Sequence, residues 1–148
     1  MRGRIWMGLV LAAMLLFAWA VQAGEPKAMV YKTPTCGCCS KWIEHLEENG
    51  FEVKSKNLSD VNPVKRMNGV PMRLASCHTA IIGGYFVEGH VPAQDVKRLL
   101  AERPNVAGIV VPRMPVGSPG MEGPNPEAYS VLAVKKDGST EVFSRHAP

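Results

Sequence analysis

The alternation of apolar and polar positions changes period several times along the chain, and each change marks an element. Ala28 to Thr33, "AMVYKT", is a short apolar and β-branched run that ends in turn chemistry and predicts a first strand. From Thr35 the period lengthens to that of a helix. Trp42, Ile43 and Leu46 fall on one stripe, while Glu44, Glu47 and Glu48 fill the opposite face. Thr35 is the expected N-cap and Gly50 the expected stop. "FEVKSKNL" alternates as a second strand, and "PVKRMNG" reads as a short helix with Pro63 in its first turn and Gly69 closing it. "HTAII" and "YFVEG" read as two strands joined by Gly83-Gly84, a two-residue hairpin signal. A helix is predicted from Pro92 to the stop at Pro104, with Val96, Leu99 and Leu100 on its buried stripe.

The resulting order, β-α-β-α-β-β-α, is that of a thioredoxin-like α/β fold. Beyond Pro104 the chain departs from a minimal version of it. "NVAGIVVPRMPVGSPGMEGPNPEAYS" is rich in Pro and Gly and predicts loop around one short strand; "YSVLAVKKDGSTEVFSRH" predicts a hairpin turning at Asp137-Gly138. A C-terminal loop and β-hairpin extension on a single domain is therefore expected, with no internal repeat.

The first residues belong to a different pattern. Arg2 and Arg4 precede the apolar run "MGLVLAAMLLFAWAV", and Val21-Gln22-Ala23 is a small-residue cleavage site. Together they read as a secretory signal peptide over residues 1–23, leaving 24–148 as the domain and the periplasm as its expected location. The run is short for a membrane span, so no membrane association is expected once the signal is cleaved. Removing Arg2 and Arg4 also lowers the formal charge from +4 to +2. The remaining basic residues, Lys32, Lys41, Lys54, Lys56, Lys65 and Arg66 among them, are interleaved with acids and lack an aromatic series, which argues against nucleic acid as a partner.

Candidate chemistry concentrates in "PTCGCCSKW", where three of the four cysteines, Cys36, Cys38 and Cys39, open the first helix. In the expected topology the start of the third strand lies beside the end of the first, bringing Cys77 to the same edge. The fourth strand then returns His90 there. His78 is the weaker candidate, because alternation along a strand would turn it away from Cys77.

Three chemistries fit these thiols. Cys36 and Cys39 form a C-x-x-C at a helix N-terminus, where a thiolate is stabilised, as in thiol-disulfide oxidoreductases. Against that reading, Cys38 intrudes between the redox pair, and Ser76-Cys77 stands where thioredoxins present a proline. Two structural disulfides are also conceivable in an oxidising compartment. A thiolate metal site is favoured over both, because adjacent soft sulfurs that hinder clean exchange are useful for holding Cu(I), and thiolates can bridge several copper ions. Zinc is the less favoured metal. Met72, Met114 and Met121 lie in loops and supply further soft sulfur; Met67 and Met72 are expected to pack, whereas Met114 and Met121 could close over the site. His45 is expected at the surface and His146 at a frayed end.

"TPTCGCCSKW", "SCHTAIIGGYFVEGHVPA" and "VPRMPVGSPGME" together resemble the CopG-type periplasmic copper-resistance proteins. That resemblance implies a thioredoxin-like fold whose cysteines hold copper in a thiolate-bridged cluster. It also implies a role in copper tolerance with Cu(I)/Cu(II) interconversion, alongside other periplasmic copper-handling proteins as partners. Carried onto this chain, it implies Cys36, Cys38, Cys39 and Cys77 as ligands, with His90, Met114 and Met121 as contributors.

Overall fold

Residues 24–148 are described by a computed structural model; the expected signal peptide lies outside the described residues. Seven strands form one mixed sheet, in the order β2-β1-β3-β4-β5-β6-β7. The chain runs β1 (Lys27–Lys32), α1 (Gly37–Glu48), β2 (Glu52–Asn57), α2 (Asn62–Met67), β3 (Thr79–Ile82), β4 (Tyr85–Glu88), α3 (Ala93–Glu102), β5 (Gly108–Val110), β6 (Tyr129–Val134) and β7 (Thr140–His146). A single 3₁₀ turn, Met72–Leu74, precedes β3. β1 pairs with β2 in parallel and with β3 antiparallel. β3 and β4 form the hairpin on Gly83-Gly84, and β5 joins β4 in parallel. β6 and β7 continue the sheet as the expected extension, with Asp137-Gly138 at their turn. Among the described residues no helix is long and apolar enough to cross a membrane.

The principal core lies where α1 and α3 cover the sheet. Val30, Ala80, Ile82, Val87 and Ile109 supply its strand face, while Trp42, Leu46, Val96 and Leu99 supply the helices. Trp42 is fully buried and donates from Nε1 to the Val91 carbonyl at 2.8 Å. This one side chain therefore ties the first turns of α1 to the segment that follows His90, and burying it contributes on the order of 2–3 kcal/mol.

One helix end differs from expectation, and another has an unforeseen partner. Thr35 is not the N-cap of α1; Cys36 occupies that position without a side-chain cap bond, because a turn closes one residue later through Cys36 N–H to the Thr33 carbonyl at 3.2 Å. At the other end Asn49 is the cap and Gly50 follows with φ +82°, the left-handed geometry that lets the chain leave the helix. Helix α3 begins after Pro92 as expected, but its first amide has an unexpected partner. His45 Nε2 on α1 accepts the Ala93 N–H at 3.0 Å, so His45 is half-buried and structural rather than a surface residue.

A buried ion pair lies behind the β3-β4 hairpin. Lys65 of α2 and Glu88 of β4 meet at 2.5 Å, both essentially inaccessible. Sequence pattern places Lys65 among scattered surface charges; the fold instead turns it inward. Leaving either partner alone in such a place costs about 3–5 kcal/mol.

Candidate metal centre

The end of β1 and the start of β3 are neighbours, with Tyr31 opposite Thr79, and this register brings Cys77 to the tip of α1. The sulfurs of Cys36, Cys38, Cys39 and Cys77 all lie within 4.8 Å of one another. Cys39 is fully buried; the other three are partly accessible. In the conformation described, Cys36 and Cys39 are joined as a disulfide, with Cα atoms 5.3 Å apart, while Cys38 and Cys77 are free thiols. Cys36 Sγ and Cys38 Sγ are 3.6 Å apart. The disulfide removes two sulfurs from the donor set, so the four-sulfur set exists only when Cys36 and Cys39 are reduced.

A second donor group shares Cys77. Its sulfur is 3.1 Å from His90 Nε2 and 3.2 Å from His78 Nδ1. His78 is the residue that alternation would turn away, yet it contributes. β3 begins only at Thr79, so His78 precedes the regular strand and the period-two rule does not govern it. It is fully buried, 4.3 Å from the Trp42 ring and 5.1 Å from the His90 ring between centroids.

Proton positions follow from the partners. The Pro119 carbonyl can only accept, so the 2.7 Å bond from His90 Nδ1 places the proton there and leaves the Nε2 lone pair facing Cys77. The Cys77 thiol donates its one proton to that lone pair. His78 then directs its own Nδ1–H at the sulfur, which leaves His78 Nε2 as a buried lone pair with no hydrogen-bond partner. Burial holds His78 well below the usual imidazole range, and the nearby His90 and Lys65 push the same way. Burial also lowers His90, against the opposing Pro119 bond and Glu122 charge. The Cys77 thiol is pushed up to about 12, chiefly by burial and then by the adjacent Cys38 sulfur. Both rings are thus neutral: the His90 Nε2 lone pair faces the sulfurs, His78 offers one there only in its other tautomer, and Cys77 must shed a proton before it can bind a cation.

The Pro/Gly-rich loop between β5 and β6 closes one side. A Cβ on Gly120, which has φ +83°, would stand 2.8 Å from the Cys38 carbonyl oxygen and 2.9 Å from the Trp42 nitrogen, so the loop backbone rests directly on the first turn of α1. Beside this contact opens a cleft of about 550 Å³ lined by Gly37, Cys38, Lys41, Gly120, Met121 and Glu122 among others. Met121 therefore shares a wall with Cys38. Met114 does not line it and stands exposed, and Met67 and Met72, expected to pack, are exposed as well. His146 is not at a loose end: it lies in β7, 2.7 Å from Asp95 Oδ2 and stacked on Tyr129, well removed in role from the thiols.

Two solved structures of a protein described as "Copper resistance protein copG", Form 1 and Form 2, are each 45% identical to this chain. Form 2 matches with a TM-score of 0.78 over 82% of this chain and 98% of its own; Form 1 gives the same score over 84% and 100%. The chain belongs to the CopG family. Residues 74–121, from before Cys77 to Met121, also match a family described as "Protein of unknown function, DUF411". Comparison with curated proteins gave no match. Within the CopG family frame, the donor chemistry fits a soft cation: up to four thiolates, two neutral imidazoles and a thioether along the adjoining cleft.

Proposed function

We propose that this protein is an exported, periplasmic copper-binding protein on a thioredoxin-like fold. It takes Cu(I) at the tip of α1 and serves copper tolerance, as the name of its CopG relatives indicates of them. Cys36, Cys38, Cys39 and Cys77 supply thiolates, and His90 closes the set with the Nε2 lone pair that is freed when Cys77 loses its proton. The observation that carries the reading is the convergence of four sulfurs within 4.8 Å from two distant stretches of chain. Thiolates so close together favour bridging more than one copper ion, and the positive end of α1 offsets their charge. The element order and strand pairing from β1 to α3 support the thioredoxin-like assignment.

A second reading draws on the Cys36–Cys39 disulfide itself. Closing that bond from the dithiol releases two electrons and two protons, enough to reduce two Cu(II) ions to Cu(I). The same residues therefore support interconversion of the two copper states, or alternatively thiol-disulfide exchange with a protein substrate. Anaerobic Cu(I) titration of the reduced protein tests the choice. Copper storage predicts more than one equivalent bound, with marked loss in Cys77→Ser. If Cys77→Ser binds as the wild type does while disulfide reductase activity is high and unaffected, the protein is an oxidoreductase of proteins instead.

A further inference from the structure

Cys77 lies outside regular structure, between the 3₁₀ turn and β3, yet its sulfur must meet three others on a separate helix. What holds that segment is the buried charge pair behind it. Glu88 Oε1 accepts the Ser76 backbone N–H at 2.6 Å as well as the Lys65 ammonium at 2.5 Å. Its Oε2 accepts the Thr79 hydroxyl at 2.6 Å, and Thr79 in turn accepts from Lys65 at 3.0 Å. Thr79 is the cross-strand partner of Glu88, so one carboxylate grips the chain on both sides of Cys77-His78. Further bonds complete the clamp: Gly89 N–H to the His78 carbonyl at 3.2 Å, and Ser76 Oγ to the Arg113 carbonyl at 2.8 Å.

Stability alone does not account for this arrangement. A buried ion pair is commonly replaceable by apolar side chains of similar volume at no net loss. What an apolar pair cannot do is accept the Ser76 amide. We propose that Glu88, held in place by Lys65, is a positioning residue for the metal centre: its carboxylate fixes the Ser76-Cys77 backbone and thereby the place of the Cys77 sulfur against the tip of α1. The consequence for copper rests on the copper-binding reading of the same site.

Two double variants separate positioning from folding. Lys65→Met/Glu88→Gln removes both charges but keeps an oxygen for the Ser76 N–H; Lys65→Met/Glu88→Met removes the acceptor as well. In the reduced, metal-free protein, amide hydrogen exchange at Ser76 reads the bond directly. The wild type and the Gln variant should both protect that amide, and the Met/Met variant should lose the protection. Cu(I) affinity, measured by competition with a chromophoric chelator, should stay within about threefold of wild type in the Gln variant. It should fall at least about tenfold, roughly 1.4 kcal/mol, in the Met/Met variant. Equal Cu(I) affinity in the two variants overturns the proposal, and so does free exchange of the Ser76 amide in the wild type. Should the Met/Met variant not fold, wild-type exchange and the Gln variant decide: an unprotected amide, or a Gln variant that folds yet loses Cu(I), contradicts it. Failure of the copper reading looks different, since Cys77→Ser would then leave Cu(I) affinity unchanged while the Ser76 amide remained protected.

Discussion

Cys77 Sγ lies 3.1 Å from His90 Nε2, and the other nitrogen of that ring is committed to the Pro119 carbonyl. A ligand whose remote nitrogen is fixed by a carbonyl has its tautomer and ring orientation set in advance. His90→Ala should therefore weaken Cu(I) binding by about tenfold or more, in the range typical of disturbed ligand surroundings. His90→Gln, which keeps a polar group of similar reach without the imidazole lone pair, should not restore it. Chelator competition on both variants checks this, and wild-type affinity in His90→Ala would remove His90 from the donor set.

Copper uptake should release protons. With its thiol pushed up to about 12, Cys77 is protonated at neutral pH in the metal-free protein, and binding must displace that proton. Apparent Cu(I) affinity should accordingly rise with pH, by about tenfold per unit for each thiol deprotonated on binding. Titration calorimetry in buffers of different ionisation enthalpy counts the protons directly. A count of zero would be incompatible with Cys77 binding as a thiolate.

Acid should loosen the α1-α3 contact. Burial lowers the pKa of His45, against the opposing charges of Glu122 and Glu48, and its neutral Nε2 accepts the Ala93 amide. In the unfolded chain His45 takes up a proton near pH 6.5, whereas in the folded protein it does so only at lower pH. Its contribution to stability is thus present above that range and lost as pH falls through the folded value; His78 and His90, also lowered, act in the same direction. His45→Gln should reduce the fall in melting temperature between pH 7 and pH 5 without abolishing it. An unchanged slope would show that His45 does not titrate across the transition.

Gly120 offers a steric test of the loop. A Cβ there would meet the Cys38 carbonyl and the Trp42 amide, both backbone, on a residue already at φ +83°. Gly120→Ala should destabilise the protein by about 1–3 kcal/mol. It should also lift Pro119 from His90, lowering Cu(I) affinity alongside. Thermal unfolding and chelator competition on the same preparation measure both, and a fully stable Gly120→Ala would mean the loop has another resting place.

Much of this centre is legible in the sequence because its logic is topological. Hydrophobic period gives the order of elements, and strand adjacency then places Cys77 and His90 beside the C-x-C-C turn. What pattern misses lies just outside regular elements or runs against composition. His78 precedes β3 by one residue, so alternation mispredicts its direction. Thr35 looks like a cap, but a preceding turn shifts the helix start to Cys36. Lys65 reads as one of many scattered surface charges; only the packing of α2 behind β4 pairs it with Glu88. Met67 and Met72 are apolar yet exposed, since the short α2 and the 3₁₀ turn leave those positions outside the core.

X-ray absorption at the copper edge, on protein loaded anaerobically with Cu(I), tests the central claim most directly. A four-thiolate site predicts a first shell dominated by sulfur, with a short copper-copper scattering path if the thiolates bridge, and a clear loss of sulfur scatterers in Cys77→Ser. A shell made of nitrogen and oxygen, or one indifferent to Cys77→Ser, would contradict it.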